Sequence, residues 1–365
     1  MKHLKIVLFL LFAATISAYS QADTNSLLKF IDKTKISGNW FISYNYNDLE
    51  NTNQFTFKRG YLTFRNELSD IFSLRFTQDI TLDEEGSDAG NVEMRLKYLF
   101  MKLKLKDIDL LKHSYIEFGL VPRPWIDFEQ KINRYRVQGK MYAEEYGIIN
   151  SADFGVSYSG LIGGEIDKEF QQKISSNYPG RYGSFSIGIF NGGGYSAIEN
   201  NNNKTIEGRL SIRPLPDIIP GMQFGYSFAL GKSNTETAQE FNMHIAYLIY
   251  QCELFTLLTQ YYTGKGGYQD DLVNPNSQEL SLDNDGYSIF GEFKIPNTKL
   301  ALFGRYDNFV SHFPEGSQDD LKVDSKIAGI SYNFLAKNKI LFDYESTNEY
   351  GTTIPVYEIA VEISF

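Results

Sequence analysis

Apolar and polar residues alternate with a period of two along much of this chain. The alternation is clear in residues 72–77, 222–230, 241–249 and 339–345, where an aromatic or aliphatic residue occupies every second position. Successive side chains of a β-strand point to opposite faces, so this period predicts strands, and we count about sixteen of them. In each strand we expect the apolar row to face lipid and the polar row to face an aqueous lumen.

A soluble β-sandwich would show the same alternation, so the connections between strands decide between the two folds. Short connections are expected at residues 66–70, 102–112, 213–221, 251–252, 295–298 and 335–338. Long polar ones lie between them, at residues 47–53, 81–90, 123–150, 192–203, 231–239, 264–284, 310–320 and 346–354. Short periplasmic turns alternating with long external loops are typical of outer-membrane barrels. Residues 161–182 are the exception. The alternation of short and long connections places them on the periplasmic side, although they form a long connection.

The start of the chain agrees with export to an outer membrane. Lys2 and Lys5 precede a short apolar stretch, and residues 20–22 offer small residues for signal cleavage, which predicts a signal peptide at 1–22. A short periplasmic segment is expected at 23–34, followed by the barrel at 35–365. The predicted fold is therefore an all-β, transmembrane antiparallel β-barrel. Its predicted location is the outer membrane of a Gram-negative bacterium, in contact with lipid and lipopolysaccharide.

Composition supports this interpretation. The chain has 25 Tyr and 28 Phe, enough to build two interfacial girdles of aromatic residues. Its formal charge of -10 argues against a nucleic-acid partner. Cys252 is the single cysteine, so an internal disulfide is impossible. The side chains expected to point outward include Trp40, Tyr44, Phe64, Tyr98, Tyr226 and Tyr306.

Several blocks of sequence resemble the phosphate-selective porin O and P family. They begin at Arg59, Leu68, Ile189, Phe303 and Ala328, and read RGYLTF, LSD with FSLRF, IFNG, FGRYD and AGISY. The resemblance implies a sixteen-stranded, usually trimeric channel for small solutes, with a third external loop folded into the barrel. The terminal Phe365 resembles the signal that the barrel-assembly machinery recognises.

Two groups of cations are candidates for ion selectivity. The phase places Arg59, Arg65, Arg75, Arg95, Arg209 and Arg305 on the pore wall, together with Lys97. Rows of guanidinium groups attract anions, although carboxylates on the same face, such as Asp79, Glu207 and Asp307, could simply pair with them. The third long connection contributes Arg123, Lys131, Arg134, Arg136 and Lys140, which we predict to form a pore constriction and solute-binding site. A solvated external lid is the alternative for this connection.

Other chemistry is weakly supported. Residues 281–286 with Glu292 have part of the spacing of a calcium loop, but their flanks read as strand. His113, His244 and His312 lie on separate segments without a serine motif. We therefore expect no enzyme, cofactor or metal site. The predicted function is passive diffusion of small hydrophilic solutes with a preference for anions, and an adhesive or structural barrel or a barrel hydrolase is the alternative.

Overall fold

The computed structural model describes residues 30–83, 89–269, 272–274, 277–314 and 319–365. The predicted signal peptide and residues 84–88 of an acidic connection lie outside this part. Sixteen strands pair antiparallel with their neighbours in a closed barrel, which confirms the predicted architecture. The barrel strands are β1 (Thr34–Asn47), β2 (Thr52–Glu67), β3 (Phe72–Leu82), β4 (Val92–Lys104), β5 (Leu111–Pro122), β6 (Ala152–Ile162), β7 (Gly183–Phe190), β8 (Thr205–Ile212), β9 (Met222–Lys232), β10 (Glu240–Gln251), β11 (Phe255–Lys265), β14 (Asp283–Lys294), β15 (Leu300–His312), β16 (Leu321–Leu335), β17 (Asn338–Glu349) and β18 (Thr352–Ser364).

The strands follow chain order around the barrel, and β1 closes it by pairing with β18. Strands β12 (Val273–Asn274) and β13 (Ser277–Ser281) form a separate two-stranded sheet in the connection between β11 and β14. This small sheet was not predicted. Among the described residues, no helix is both long and apolar enough to span a membrane.

The strand lengths correct two of the predicted connections. Strands β1 and β2 are joined by residues 48–51 alone, and β17 and β18 by residues 350–351 alone. The prediction of long connections there is wrong because the strands continue through the polar residues as paired ladders. The end that carries both chain termini also carries most of the tight turns, and is therefore the periplasmic end.

The connection between β5 and β6, residues 123–151, lies inside the barrel and is called the inner loop below. It contains helices α1 (Pro124–Ile132) and α2 (Tyr142–Glu145). Its apolar side chains are buried against side chains of the barrel wall in one continuous hydrophobic cluster. The alternative of a solvated external lid is therefore wrong.

Strand β10 faces the opposite way from the prediction. The apolar row that was predicted to face lipid points into the barrel and is buried, and Asn242, His244 and Ala246 lie on the outer surface together with Leu248 and Tyr250. The reason is the inner loop, whose helix α1 needs an apolar wall: Trp125 packs on Tyr247 with ring centroids 4.7 Å apart. On the outer surface, the imidazole of His244 shares a hydrogen bond of 2.5 Å with the hydroxyl of Tyr226 on β9. The row that points inward is Phe241, Met243, Ile245, Tyr247 and Ile249.

Tyr98 was expected to point outward but is buried in the lumen. A bulge on β4 causes the difference. Thr77 of β3 pairs with Tyr98 and Gln78 pairs with Leu96, so Lys97 is the extra residue and the phase of β4 changes there. The other five aromatics predicted to point outward lie on the outward rows of their strands, next to exposed apolar side chains such as Ile42, Phe76 and Leu302.

The long connection between β6 and β7 is at the periplasmic end, as the phase predicted. It contains helix α3 (Lys168–Lys173), which begins at Asp167, whose carboxylate accepts a hydrogen bond of 2.8 Å from the N–H of Phe170. Further along, the ring of Tyr178 packs on Phe128 of α1 with centroids 4.9 Å apart. The inner loop therefore contacts both the β6–β7 connection at the periplasmic end and the side chains of the barrel wall.

Candidate permeation site

Helix α1 is positioned by its sequence and by its burial. Pro124 occupies the first turn, where no N–H donor is needed, and Asp127 and Lys131 match the dipole at the two helix ends. One face of α1, including Trp125 and Phe128, is buried against the wall. Asp127 accepts a short hydrogen bond from the hydroxyl of Tyr178. The helix is therefore held from two directions.

The inner loop after α1 is attached to the wall by cations that donate to its backbone. The ammonium group of Lys339 donates to the carbonyl of Arg134 at 2.7 Å, and that of Lys58 to the carbonyl of Gln138 at 2.6 Å. The guanidinium of Arg305 donates to the carbonyl of Lys140 at 2.6 Å. Lys58 and Lys339 were not among the predicted site residues. The alternation places Lys339 inward without showing what it contacts. It places Lys58, the neighbour of the inward Arg59, outward, and Lys58 reaches the lumen because it is the extra residue of a register shift on β2.

Aromatic contacts complete this attachment. Tyr135 stacks on Phe303 with centroids 4.1 Å apart, and Tyr146 stacks on Phe309 at 4.8 Å. The hydroxyl of Tyr135 also donates to Glu292 at 2.9 Å. The loop therefore extends from β5 and β6 to strands β14, β15 and β17 and crosses the lumen.

Arg123 is completely enclosed by protein. Its Nε lies 2.9 Å from Oε1 of Glu207, and its Nη2 lies 3.3 Å from Oδ2 of Asp153. The same nitrogen donates to the carbonyl of Gly192 at 3.2 Å. The side chain is 0% exposed, so its assignment to solute binding is wrong in this structure. Arg123 instead holds the start of the inner loop to β6 and β8.

The other four cations of the inner loop have different surroundings. Arg134 is 45% exposed and its Nη2 lies 3.2 Å from Glu292, and Nη2 of Arg136 lies 3.4 Å from Glu144. Burial alone would raise the pKa of Glu144, but Arg136 and Lys97 outweigh it, and the pKa is lowered. Lys140 is exposed on the outer side, and Lys131 is half-buried on the periplasmic side. The structure thus does not bring the predicted cations together at one point.

The pore-wall arginines point inward, and most of them have partners. Nε of Arg59 lies 3.0 Å from Asp79, which also has Nη2 of Arg95 at 3.6 Å. Arg305 forms a close ion pair with Asp307. Arg209 is covered, with its guanidinium 4.1 Å from the centroid of the Phe128 ring. In each of these four arginines, the guanidinium charge is either paired with a carboxylate or covered by an aromatic ring.

Arg65 and Arg75 are different. They are directly opposite each other on β2 and β3 and line the same cavity. Arg75 donates from Nε to Thr77 at 3.1 Å and lies 4.1 Å from the centroid of the Tyr98 ring. Within the described ranges, neither guanidinium has a carboxylate oxygen within 4 Å, in contrast to Arg59 and Arg95.

Two cavities lie on either side of the inner loop. The outer one has a volume of about 1380 Å³, and the periplasmic one about 290 Å³. They share no lining residue. Arg136, Lys140, Glu144 and Glu145 of the loop line the outer cavity, whereas Asp127 and Lys131 line the periplasmic one.

The structure gives no support to a calcium site at residues 281–286. These residues extend into β14, where Asp285 faces outward and Asn284 inward, and Glu292 at the other end of the strand contacts Arg134. Across the described part of the chain, no three His, Cys, Asp or Glu side chains are grouped to hold a metal ion.

Solved structures of bacterial porins have the same fold. OmpF of Salmonella typhi, solved with daunomycin, is 11% identical with a TM-score of 0.63, over 91% of this chain and 97% of that one. An anion-selective porin from Comamonas acidovorans is 10% identical, with a TM-score of 0.60 over 91% and 99%. In-vitro folded OmpT of Vibrio cholerae, an outer-membrane protein in its trimer form, is 13% identical with a TM-score of 0.56, over 91% and 99%. No family model and no curated protein matches the sequence.

These similarities establish a porin-like barrel and do not identify a family. The resemblance to phosphate-selective porins therefore stays a prediction. A closed barrel with an apolar outer surface satisfies every backbone group within a bilayer, and the predicted outer-membrane location agrees with this fold and with its neighbours.

Proposed function

We propose that this chain is an outer-membrane porin through which small hydrophilic solutes diffuse passively, with a preference for anions. The observation that carries the proposal is the inner loop, which crosses the lumen of a closed barrel and leaves polar cavities on both sides. A barrel with a purely structural role has no need for such an arrangement. The proposal includes no catalytic step.

The anion preference rests on the cations that remain exposed to the lumen. Lys131 and Lys140 on the inner loop, with Arg65 and Arg75 on the wall, have no carboxylate oxygen within 4 Å among the described residues. Unpaired cations beside a narrow path act on a passing ion within the screening distance of about 8 Å at physiological ionic strength. The anion-selective porin from Comamonas acidovorans has the same fold, which makes this selectivity possible for such a barrel.

Conductance measurements test this function. Purified, folded protein added to a planar bilayer should give discrete, ohmic current steps, and a salt gradient should give a reversal potential of the sign for anions. Heat-unfolded protein at the same concentration is the control. A folded, inserted barrel that gives no current steps would rule out the porin and favour an adhesive or structural barrel.

We also propose a homotrimer. The support is the fold shared with OmpT of Vibrio cholerae, which is described in a trimer form. Native mass measurement in detergent should give three times the mass of the mature chain. A monomer under conditions that preserve the barrel would contradict this assembly without affecting the proposed diffusion.

A further inference from the structure

The outward row of strand β10 is polar along its external half. From the external end, its outward residues are Glu240, Asn242, His244 and Ala246, and large apolar side chains begin only at Leu248. The first three residues are called the polar stripe below. A barrel surface that faces lipid is an apolar band about 25 Å tall, and packing of the inner loop on the inward row does not require a polar outward row. The polar stripe therefore needs a reason of its own.

The register with β9 places the polar stripe beside residues that face lipid. Asn242 is directly opposite Leu230, which is 44% exposed on the outer surface, and His244 is directly opposite Phe228. On the next strand, β8, Ile206 lies opposite Leu230 and is 47% exposed. Asn242 and His244 are therefore at the level of the apolar band and not above it in water.

The protein satisfies the polar stripe only in part. The hydroxyl of Tyr226 occupies Nδ1 of His244, and no described residue forms a hydrogen bond with the other ring nitrogen. The amide nitrogen of Asn242 donates to Glu240 at 3.4 Å, and its side-chain oxygen has no hydrogen-bond partner among the described residues. Polar atoms that face hydrocarbon without a partner are costly, so this surface favours a polar group supplied from the membrane.

Two lysines lie at the external rim of the same surface. Lys232 is the last residue of β9, and Lys204 immediately precedes β8. Because Ile206 of β8 pairs with Leu230 of β9, the positions two residues farther out place the two lysines side by side. Both side chains are exposed, and both continue the outward rows of their strands.

No carboxylate neutralises these two lysines. Glu240 is directly opposite Lys232 but contacts Lys265, with Nζ and Oε2 3.5 Å apart. The ammonium group of Lys204 donates to the carbonyl of Asn203 at 3.0 Å, which leaves its charge in place. Within the described ranges, neither ammonium group has a carboxylate oxygen within 4 Å. Two adjacent cations next to uncharged hydrogen-bonding groups favour a phosphorylated head group.

The polarity is confined to the external half of the surface, which indicates a lipid as the partner. Two barrels packed side by side contact each other along the height of the bilayer, whereas a lipid of the outer leaflet covers only the external half. In the periplasmic half of the same strands the outward residues are mainly apolar, and they include Met222, Phe224, Leu248, Tyr250, Phe255 and Leu257.

We propose that the outer surface of β8, β9 and β10 is a binding site for a phosphorylated glycolipid of the outer leaflet. Lys204 and Lys232 hold a phosphate group of this lipid. Asn242 and His244 form hydrogen bonds with the sugar hydroxyls and amides of its head group. The site lies outside the lumen, so it depends neither on the proposed diffusion nor on the ion preference.

Native mass spectrometry tests the site by counting bound lipids. The folded, detergent-solubilised protein is titrated with lipid A. Parallel runs use the same acylated disaccharide without phosphate, and phosphatidylglycerol, which has a phosphate but no sugar. We expect saturable binding of one lipid A per chain, and weaker binding of both other lipids.

Two double variants separate the two parts of the head group. For Lys204→Gln with Lys232→Gln, we expect the dissociation constant of lipid A to rise about tenfold or more, because charge-assisted contacts are lost, with no change for the phosphate-free disaccharide. Asn242→Leu with His244→Phe makes the polar stripe apolar, like the neighbouring rows. We expect it to weaken binding of both disaccharides without lowering the urea midpoint for unfolding in detergent, which excludes misfolding as the cause.

The matched control is Lys322→Gln with Lys326→Gln, which removes two exposed, outward charges near the external end of β16. It should bind lipid A like the wild type, and an equal loss in this control would assign the effect to overall charge and overturn the site. Equal affinity of the wild type for lipid A and phosphatidylglycerol would also overturn it, as would unchanged lipid A binding after replacement of Lys204 and Lys232. A change in the number of chains per particle in the Asn242 and His244 variant would instead make this surface a contact between copies of the chain and refute the lipid site.

Discussion

Phe365 lies against Gly38 at the seam that closes the barrel. The N–H of Gly38 donates to the carbonyl of Phe365 at 3.0 Å, and the N–H of Phe365 donates to the carbonyl of Gly38 at 3.1 Å. The phenyl ring covers the position that a Cβ atom on residue 38 would take, so a side chain there would displace the ring. The ring itself is 62% exposed, so its burial contributes little to the stability of the folded barrel.

Replacement of Phe365 by Ala should therefore affect assembly more than stability. The backbone pair with Gly38 is kept, and the lost burial of a largely exposed ring is below the range of about 1.5 to 3 kcal/mol for a fully buried one. We expect less inserted protein in membranes, with unchanged single-channel conductance of the molecules that do insert. Phe334→Ala removes another outward aromatic near the periplasmic end and is the control. Normal insertion of the Phe365 variant would refute its role as an assembly signal.

The inner-loop arginines give a prediction about selectivity. Replacing Arg134 and Arg136 by Ala leaves Glu292 and Glu144 without their ion-pair partners. The local charge becomes negative, so the reversal potential in a salt gradient should move toward cation preference. Arg134→Ala combined with Glu292→Gln removes one charge of each sign and should cause a much smaller change. An unchanged reversal potential in the double arginine variant would place this part of the loop outside the permeation path.

The sequence predicted the barrel because strand phase and turns are local properties of the chain. It failed on β10 because alternation does not show which face meets lipid. The apolar row Phe241–Ile249 faces inward to meet Trp125 and Phe128, more than a hundred residues earlier in the chain. The bulge at Lys97 was equally hidden, since one extra residue reverses the phase without a glycine or proline to mark it.

The candidate site was predictable in part for the same reason. Inward direction follows from phase, and the wall arginines do point inward. Partners depend on contacts between distant segments, so the enclosure of Arg123 by Asp153 and Glu207 could not be read from the sequence. The family resemblance, not the residue pattern, suggested that the third loop lies inside the barrel.

Arg123 should be a stability determinant. Its replacement by Ala leaves Asp153 and Glu207 buried without a cation, and breaking such a buried pair costs about 3 to 5 kcal/mol. We expect a lower urea midpoint for unfolding in detergent. Arg123→Lys keeps the charge, so it should lower the urea midpoint less than Arg123→Ala does. It should still lower the midpoint, because lysine has no planar fork with which to contact both carboxylates and the Gly192 carbonyl. If both variants unfold at the wild-type urea concentration, the enclosed charges do not hold the loop.

Glu129 predicts a pH dependence for the docked inner loop. This side chain on α1 is only 2% exposed, and Oε1 accepts a hydrogen bond of 2.5 Å from the amide of Gln260 on β11. Its Oε2 is buried without a hydrogen-bond partner among the described residues. Burial raises the pKa of Glu129 from its ordinary value of 4.5 to about 7. The amide of Gln260 and the charge of Arg305 oppose this rise, whereas Asp307 and Glu144 add to it.

Glu129 binds its proton more tightly in the docked loop than in the unfolded chain. The stabilisation of the fold by this proton is therefore complete below about pH 4.5 and is lost as the pH rises to about 7. The free energy of unfolding of the wild type should fall by up to about 3 kcal/mol between pH 5 and 8, and its urea midpoint should fall with it. Glu129→Gln has no proton to lose, so its midpoint should fall much less over this range. The difference between the two curves isolates Glu129 from other carboxyl groups of the barrel. Parallel curves would mean that Glu129 keeps an ordinary pKa and that the loop docks independently of its charge.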